Sequence, residues 1–178
     1  MAEFKIIDQL LPGVTLLQCP HSSDDRGDFT KLFHGDAFTA LGLPFSPAES
    51  FLTRSKAGVI RGIHFQVGDA AHDKLVCCPK GRVLDVVVDV CPDSAHFNQP
   101  VAIELSEYSP TALLIAKGYG HGFLALDDDS WMLYSTTTVH NPALDRGVLW
   151  SSIAFDWPVQ KPVISERDQE HSSIESLR

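Results

Sequence analysis

From residue 74 to residue 139 the chain contains almost nothing but strand-sized runs, each closed by a turn signal, and this density of turns is its strongest constraint. Runs rich in β-branched, aromatic and aliphatic residues recur at roughly 8–12-residue spacing, as in a sandwich, barrel or jelly roll. The clearest is 83–90. There Leu84, Val86, Val88 and Val90 alternate against Val83, Asp85, Val87 and Asp89, and a period of two is that of a strand. Neither an internal repeat nor a low-complexity segment interrupts the pattern. The 178 residues are enough for one full core and short for two, so one all-β domain over 1–178 is expected.

The N-terminal third is more varied. Residues 4–19 alternate weakly about a Pro12-Gly13 turn, and a polar turn at 21–28 leads into a strand over 29–33. Asp36 is the expected cap of a short helix over 37–41 that stops at Gly42. A strand over 49–54 then feeds a second through the Lys56-Ala57-Gly58 turn. The tail from Asn141 is irregular and rich in Pro and charge, with a helix expected over 166–171.

Charge narrows the function. Asp and Glu number 23 against 14 Lys and Arg, a formal net charge of -9, which argues against a nucleic-acid backbone as general partner. A small anionic ligand remains compatible, because a few Arg and Lys side chains can line a local pocket. No apolar run approaches the ~20 residues of a membrane span, and Asp85 and Asp89 break the longest one. The first residues lack the basic and apolar segments of a signal peptide, so the cytoplasm is the expected location. Cys19, Cys77, Cys78 and Cys91 show no repeated C-x-x-C spacing; reduced and mostly buried thiols are expected rather than a zinc knuckle.

The stretch 58–66, Gly-Val-Ile-Arg-Gly-Ile-His-Phe-Gln, carries the first chemistry. Strict alternation would place Gly62, His64 and Gln66 on one face and Arg61, Ile63 and Phe65 on the other. An imidazole would then share its face with a glycine, where a ligand could approach the backbone closely. A lone histidine is ordinarily structural. Here Lys74, His121, Tyr134 and Asp168 follow in contexts that can be read with it.

Those contexts are R-G-I-H-F-Q, H-D-K-L-V, G-R-V-L-D-V-V-V-D-V, I-E-L-S, G-Y-G-H-G-F, M-L-Y, D-R-G-V-L-W and I-S-E-R-D, in that order. Each motif is weak alone, but the ordered set resembles the dTDP-4-dehydrorhamnose 3,5-epimerase family over roughly residues 25–168. The resemblance implies a cupin-type jelly roll (a double-stranded β-helix with a few short helices), usually a homodimer. It would act without cofactor or metal on a nucleotide-diphosphate-linked 4-keto-6-deoxyhexose. His64 matches the family's base and Asp168 the carboxylate that orients it. Lys74 matches the cation facing the enolate oxygen, and Tyr134 the acid that reprotonates from the other face. His121 and Arg61 match residues along the sugar and diphosphate, and Arg26 a second nucleotide-side arginine. Gln66, Asp145 and Arg167 fall within motifs that line the substrate. The chemistry agrees: C3 and C5 both flank the carbonyl, so inversion needs a base, an enolate stabiliser and an acid.

Departures from the family pattern cluster at the base and sugar positions: Ser22, Lys31, Glu49, Phe51, Ser135, Val139 and His140. Lys31 stands where a carboxylate is usual, which turns an acceptor for a ring N–H into a donor. Thymine offers an N3–H and cytosine a bare N3, so the expected ligand is a dTDP- or CDP-type sugar. Two other functions fit the same fold class. A metal-dependent cupin would use His64, His72 and His121, although Gln66 occupies the place of the second histidine in the usual H-x-H motif. A non-catalytic sugar-nucleotide binder would have no need of both His64 and Tyr134.

Overall fold

The computed structural model describes residues 3–178. Its elements run β1 (Lys5–Leu11), β2 (Val14–Gln18), β3 (His21–Asp24), β4 (Gly27–Thr30), α1 (Gly35–Ala40), β5 (Glu49–Ser55), β6 (Ile60–Gln66), β7 (Lys74–Lys80), β8 (Arg82–Asp89), β9 (Pro100–Ser106), β10 (Thr111–Ile115), β11 (Tyr119–Ala125), β12 (Ser130–Thr136), β13 (Asp145–Gly147) and α2 (Glu166–Gln169). Three short 3-10 turns complete them. One sheet has the order β1-β2-β10-β7-β12-β5 and the other β13-β6-β11-β8-β9, and every pairing is antiparallel. This is the jelly roll that the turn density and the resemblance predict.

The inner faces of the two sheets meet in a core that joins Val76, Leu113 and Met132 of the first to Val83, Val87, Leu105 and Phe123 of the second. The outer faces are covered as well. Phe38 of α1 and Phe45 pack with Leu17, Leu75, Cys77 and Leu114 against the six-stranded sheet. Ile153 and Ile174 of the tail pack with Ile63, Val86 and Val88 against the five-stranded one. Double-sided burial explains the near-continuous valine run of β8, in which Val83 and Val87 enter the central core and Val86 and Val88 the outer one. Each such side chain contributes roughly 1.5–3 kcal/mol when fully buried. Cys77 and Cys78 likewise divide between two cores, and all four thiols are free, with Cys91 exposed.

Three local expectations are corrected. α1 begins at Gly35, and its cap is His34, whose Nδ1 accepts from the Ala37 N–H at 3.4 Å. Asp36 lies inside the first turn instead, where its charge favours the positive helix end. The strand expected over 29–33 is shorter and earlier, because β4 pairs with β3 in a separate two-stranded hairpin.

The third correction concerns β6. His121 of β11 pairs with His64 while Phe123 pairs with Arg61, so three steps on β6 oppose two on β11. The extra residue breaks the alternation. Arg61 and His64 consequently face the same cavity, and Ile63 turns into the outer core. Gly62 makes this possible: its φ is 132°, and a Cβ there would lie 2.5 Å from the Cα of Gly122. The bare face of Gly62 is therefore filled by the neighbouring strand and not by a ligand.

Candidate active site

A cavity of about 300 Å³ opens at one end of the roll. β6 supplies Arg61, His64 and Gln66, and β11 supplies His121. From the other wall β5 presents Glu49 and Phe51, β7 presents Lys74 and β12 presents Tyr134, while His140, Asp145, Arg167 and Asp168 come from the C-terminal segment. Arg26 and Lys31 do not line it. Arg26 sits at the tip of the β3–β4 hairpin and is paired with Asp24 at 2.6 Å, and Lys31 borders a separate cleft with Pro20, His34 and α1.

His64 Nε2 is joined to Asp168 Oδ1 at 2.7 Å, across 104 residues of sequence. Asp168 is only 4% exposed: Ser165 caps α2 by accepting from the Asp168 N–H and sets the carboxylate against β6. The other oxygen, Oδ2, accepts from the Gly62 N–H at 3.2 Å. Burial works against the Asp168 charge, but the hydrogen bond and charge of His64, together with the Gly62 N–H, outweigh it and hold the carboxyl below its ordinary range. With Nε2 engaged, Nδ1 is the His64 nitrogen left free.

Lys74 reaches across from β7 to donate to the His64 carbonyl at 3.0 Å. Desolvation pushes its ammonium down to about 8 against the pull of Asp145 and Asp85, which leaves a cation at neutral pH that binds its proton loosely. Tyr134 is 7% exposed, and burial raises its phenol well above the usual range, so it stays protonated. Its ring stacks on Phe51 at 4.6 Å and 11° and stands edge-on to His121 at 5.9 Å.

The rest of the lining is polar and hydrogen-bonded in three separate groups. His140 donates its backbone N–H to Glu49 at 2.6 Å and pairs with Asp145 at 3.3 Å, and Arg167 also reaches Asp145, at 2.6 Å. Gln66 accepts from the Asn141 N–H at 2.8 Å and contacts His72 at 3.1 Å. Arg61 is tethered to Ser55 and to the Arg54 carbonyl at the end of β5.

The histidine trio of a metal cupin is not assembled. His72 is occupied by Gln66 and Thr138, and its imidazole is lowered to about 4 by burial and by Lys74. His121 is joined to Asp85 at 2.8 Å. That aspartate was missed in sequence, where it read only as an interruption of a valine run. An acid on the inward face of a buried strand is the signal that could have found it, since such a charge requires a partner. His171 was missed too, and its ring lies edge-on to His64 at 5.7 Å.

Comparison with known proteins agrees with this geometry. The family model described as dTDP-4-dehydrorhamnose 3,5-epimerase matches residues 8–176. The dTDP-4-dehydrorhamnose 3,5-epimerase of Escherichia coli K12 is 39% identical over 97% of this chain and 95% of that protein. The dTDP-4-dehydrorhamnose 3-epimerase of Streptomyces niveus is 36% identical over 90% and 79%. Among solved structures, the dTDP-4-dehydrorhamnose 3,5-epimerase of Bacillus anthracis, with TDP and PPi bound, superposes with a TM-score of 0.92 at 33% identity, over 96% of this chain and 99% of that one. With the family model matching nearly the whole chain and a relative 39% identical over 97% of it, the chain belongs to the dTDP-4-dehydrorhamnose 3,5-epimerase family.

Proposed function

We propose that this chain, as an isomerase of deoxysugar biosynthesis, epimerises a dTDP-linked 4-keto-6-deoxyhexose at both C3 and C5, with His64 as base and Tyr134 as acid. The observation that carries the reading is the placement of these two groups on opposite sheets across one cavity, with the Lys74 ammonium beside them. His64 Nδ1 takes the proton from the carbon next to the ketone, and the new imidazolium keeps its Nε2–H on Asp168. The electron pair left on carbon moves into the carbonyl, and the resulting enolate oxygen is stabilised by the Lys74 cation. Tyr134 then delivers its proton to the other face of the carbon. Its raised pKa suits the task, because the phenol keeps the proton until a strongly basic carbon demands it. Solvent resets both groups, which makes exchange with deuterium the natural readout.

Thymidine is the base we favour. The relatives that match nearly the whole chain are epimerases named for dTDP-linked sugars, and Lys31, on which the cytidine alternative relied, lies outside its own chain's cavity. Incubation in deuterated water with dTDP- and CDP-linked 4-keto-6-deoxyglucose, followed by NMR, tests both points. Deuterium at C3 and C5 of the dTDP sugar is expected. Uptake at one carbon alone would restrict the reaction, and faster exchange in the CDP sugar would overturn the thymidine assignment. In the same experiment Tyr134→Phe should retain proton removal while losing inversion by about 10²-fold or more.

The working unit we propose is a homodimer. The β3–β4 hairpin carries Arg26 and an exposed Phe29 at a distance from its own cavity. A second copy is the surface against which this hairpin would place Arg26 at a nucleotide. Light scattering that returns a monomer at micromolar concentration would remove this part of the reading.

A further inference from the structure

One imidazole stands beside the His64–Asp168 pair with no role in the chemistry above. His171 lies three residues after Asp168, just past α2, so the two side chains project on the same side of one turn. Its Nε2 is 3.7 Å from Asp168 Oδ1, the same oxygen that meets His64 Nε2 at 2.7 Å. That nitrogen is buried and has no hydrogen-bond partner among the described residues. Gly147 of β13 leaves the space for it: a Cβ at 147 would stand 2.3 Å from His171 Nε2. One ligand atom from each of His64, Asp168 and His171 lies within 4.8 Å of the other two.

We infer that His64, Asp168 and His171 form a binding site for a divalent transition-metal ion of the zinc type, and that the bound ion disables the base. Two imidazoles and one carboxylate make a donor set suited to tetrahedral Zn²⁺, with a water as the fourth ligand. Bonds of about 2.0–2.1 Å require ligand atoms roughly 3.3 Å apart, and the observed separations bracket that value. Closing onto an ion needs small adjustments of three side chains. Mg²⁺ and Ca²⁺ want six or more oxygens and are poorly served. The second oxygen of the carboxylate is held by the Gly62 N–H, which orients the ligand as an outer-shell contact should.

The consequence follows from imidazole tautomerism. A neutral imidazole that coordinates through Nε2 carries its proton on Nδ1. On metal binding the Nε2 proton is lost from the Asp168 bond, Nδ1 becomes N–H, and the nitrogen that should accept the sugar proton is filled. The inhibition rests on His64 acting as base through Nδ1, whereas the metal site itself does not.

Cobalt is the probe that separates the two statements. One equivalent of Co²⁺ added to the full chain should give the visible absorption of a tetrahedral N/O site, displaced by Zn²⁺. His171→Leu and His171→Asn should lose that absorption, with folding checked by thermal unfolding. Wild-type turnover should be lost at saturating Zn²⁺ and return with a chelator, while the variants keep their own zinc-free rate. If neither variant folds, the test moves to wild-type protein labelled with ¹⁵N-histidine. There Zn²⁺ should shift the ring nitrogens of His64 and His171 together and leave those of His21 and His96 in place. Absence of the cobalt bands, or bands that survive removal of His171, would overturn the site. Bands on wild type with turnover unaffected would leave the site standing and overturn His64 as the base.

Discussion

Two histidine–aspartate pairs of nearly equal length lie in this molecule, and their surroundings separate them. His64 and Asp168 meet at 2.7 Å, and 29% of the His64 side chain is exposed to the cavity. His121 and Asp85 meet at 2.8 Å, with side chains 3% and 0% exposed. The first pair joins β6 to a tail helix 104 residues away, while the second links adjacent strands β11 and β8. A proton on the open pair can be traded with a ligand. The second pair is almost sealed although His121 borders the cavity, since Asp85 Oδ1 is buried without a partner among the described residues and the Tyr134 ring stands against His121. Identical chemistry therefore does two jobs, and the distribution of solvent decides which.

Truncation at each pair should break the comparison open with the largest effects. His64→Ala should lower turnover by about 10²–10⁴-fold while costing only about 1–3 kcal/mol of stability, the loss of one hydrogen bond to a charged group. Asp85→Ala should invert that balance. It leaves His121 buried without its acid, at a cost of about 3–5 kcal/mol, or roughly 10 °C in Tm for a chain of this size. Deuterium exchange and thermal unfolding on the same two variants decide it. Near-wild-type exchange in His64→Ala would falsify the catalytic side, and an unchanged Tm in Asp85→Ala the structural side.

The contrast also explains what could and could not be read from residues alone. Strand periodicity exposed the jelly roll, because one face of β12 and nearly all of β8 are buried and the pattern is written in local order. The family motifs brought His64, Lys74, Tyr134 and Asp168 forward, and all four line one cavity. Asp85 stayed hidden because a charge in a valine run looks like an interruption until the neighbouring strand supplies His121. Arg61 was assigned to the wrong face because alternation assumes a regular ladder, and the irregularity at Gly62 depends on Gly122 of another strand. Arg26 and Lys31 were grouped with the site by motif, yet the β3–β4 hairpin carries its tip away from the same chain's cavity. At Asp85 and Arg61 the deciding contact lies between segments far apart in sequence.

Lys74 sharpens the comparison through pH. Its ammonium titrates at about 8 in the folded chain, against 10.5 for the free side chain. Turnover that needs the cation should fall as pH rises through 8, and Lys74→Met should abolish that limb along with about 10²–10³-fold of activity. Stability responds with the opposite sign. Between pH 8 and 10.5 the unfolded chain binds the Lys74 proton and the folded chain does not, so unfolding free energy gains with pH in that window. Cys77 and Cys78, raised to about 12 by burial, act the other way in the same range. The measurable quantity is therefore the difference between wild type and Lys74→Met, which should grow in favour of wild type from pH 8 to 10.5. A difference that is flat over that range would mean that Lys74 is not desolvated by the cavity.

The smallest effect is expected at Phe51, which joins the open region to the closed one. Its ring is 43% exposed, yet it lies flat on Tyr134 at 4.6 Å, while the edge contact of Tyr134 is with the closed pair's His121. An aromatic pair of this kind contributes about 0.5–1.5 kcal/mol beyond its buried area. Phe51→Ala should thus cost about 1 kcal/mol of stability, far less than Asp85→Ala, because the ring's outer face is already wet. In catalysis it should loosen the Tyr134 phenol and slow inversion by a few-fold, about 0.5–1 kcal/mol in the barrier, without moving the limb at pH 8. Proton removal by His64 on the opposite sheet should be untouched. The ratio of deuterium exchange to inversion measures this directly: a rise in that ratio with exchange unchanged ties Phe51 to the acid. An equal fall in both would show that the two walls of the cavity are not independent.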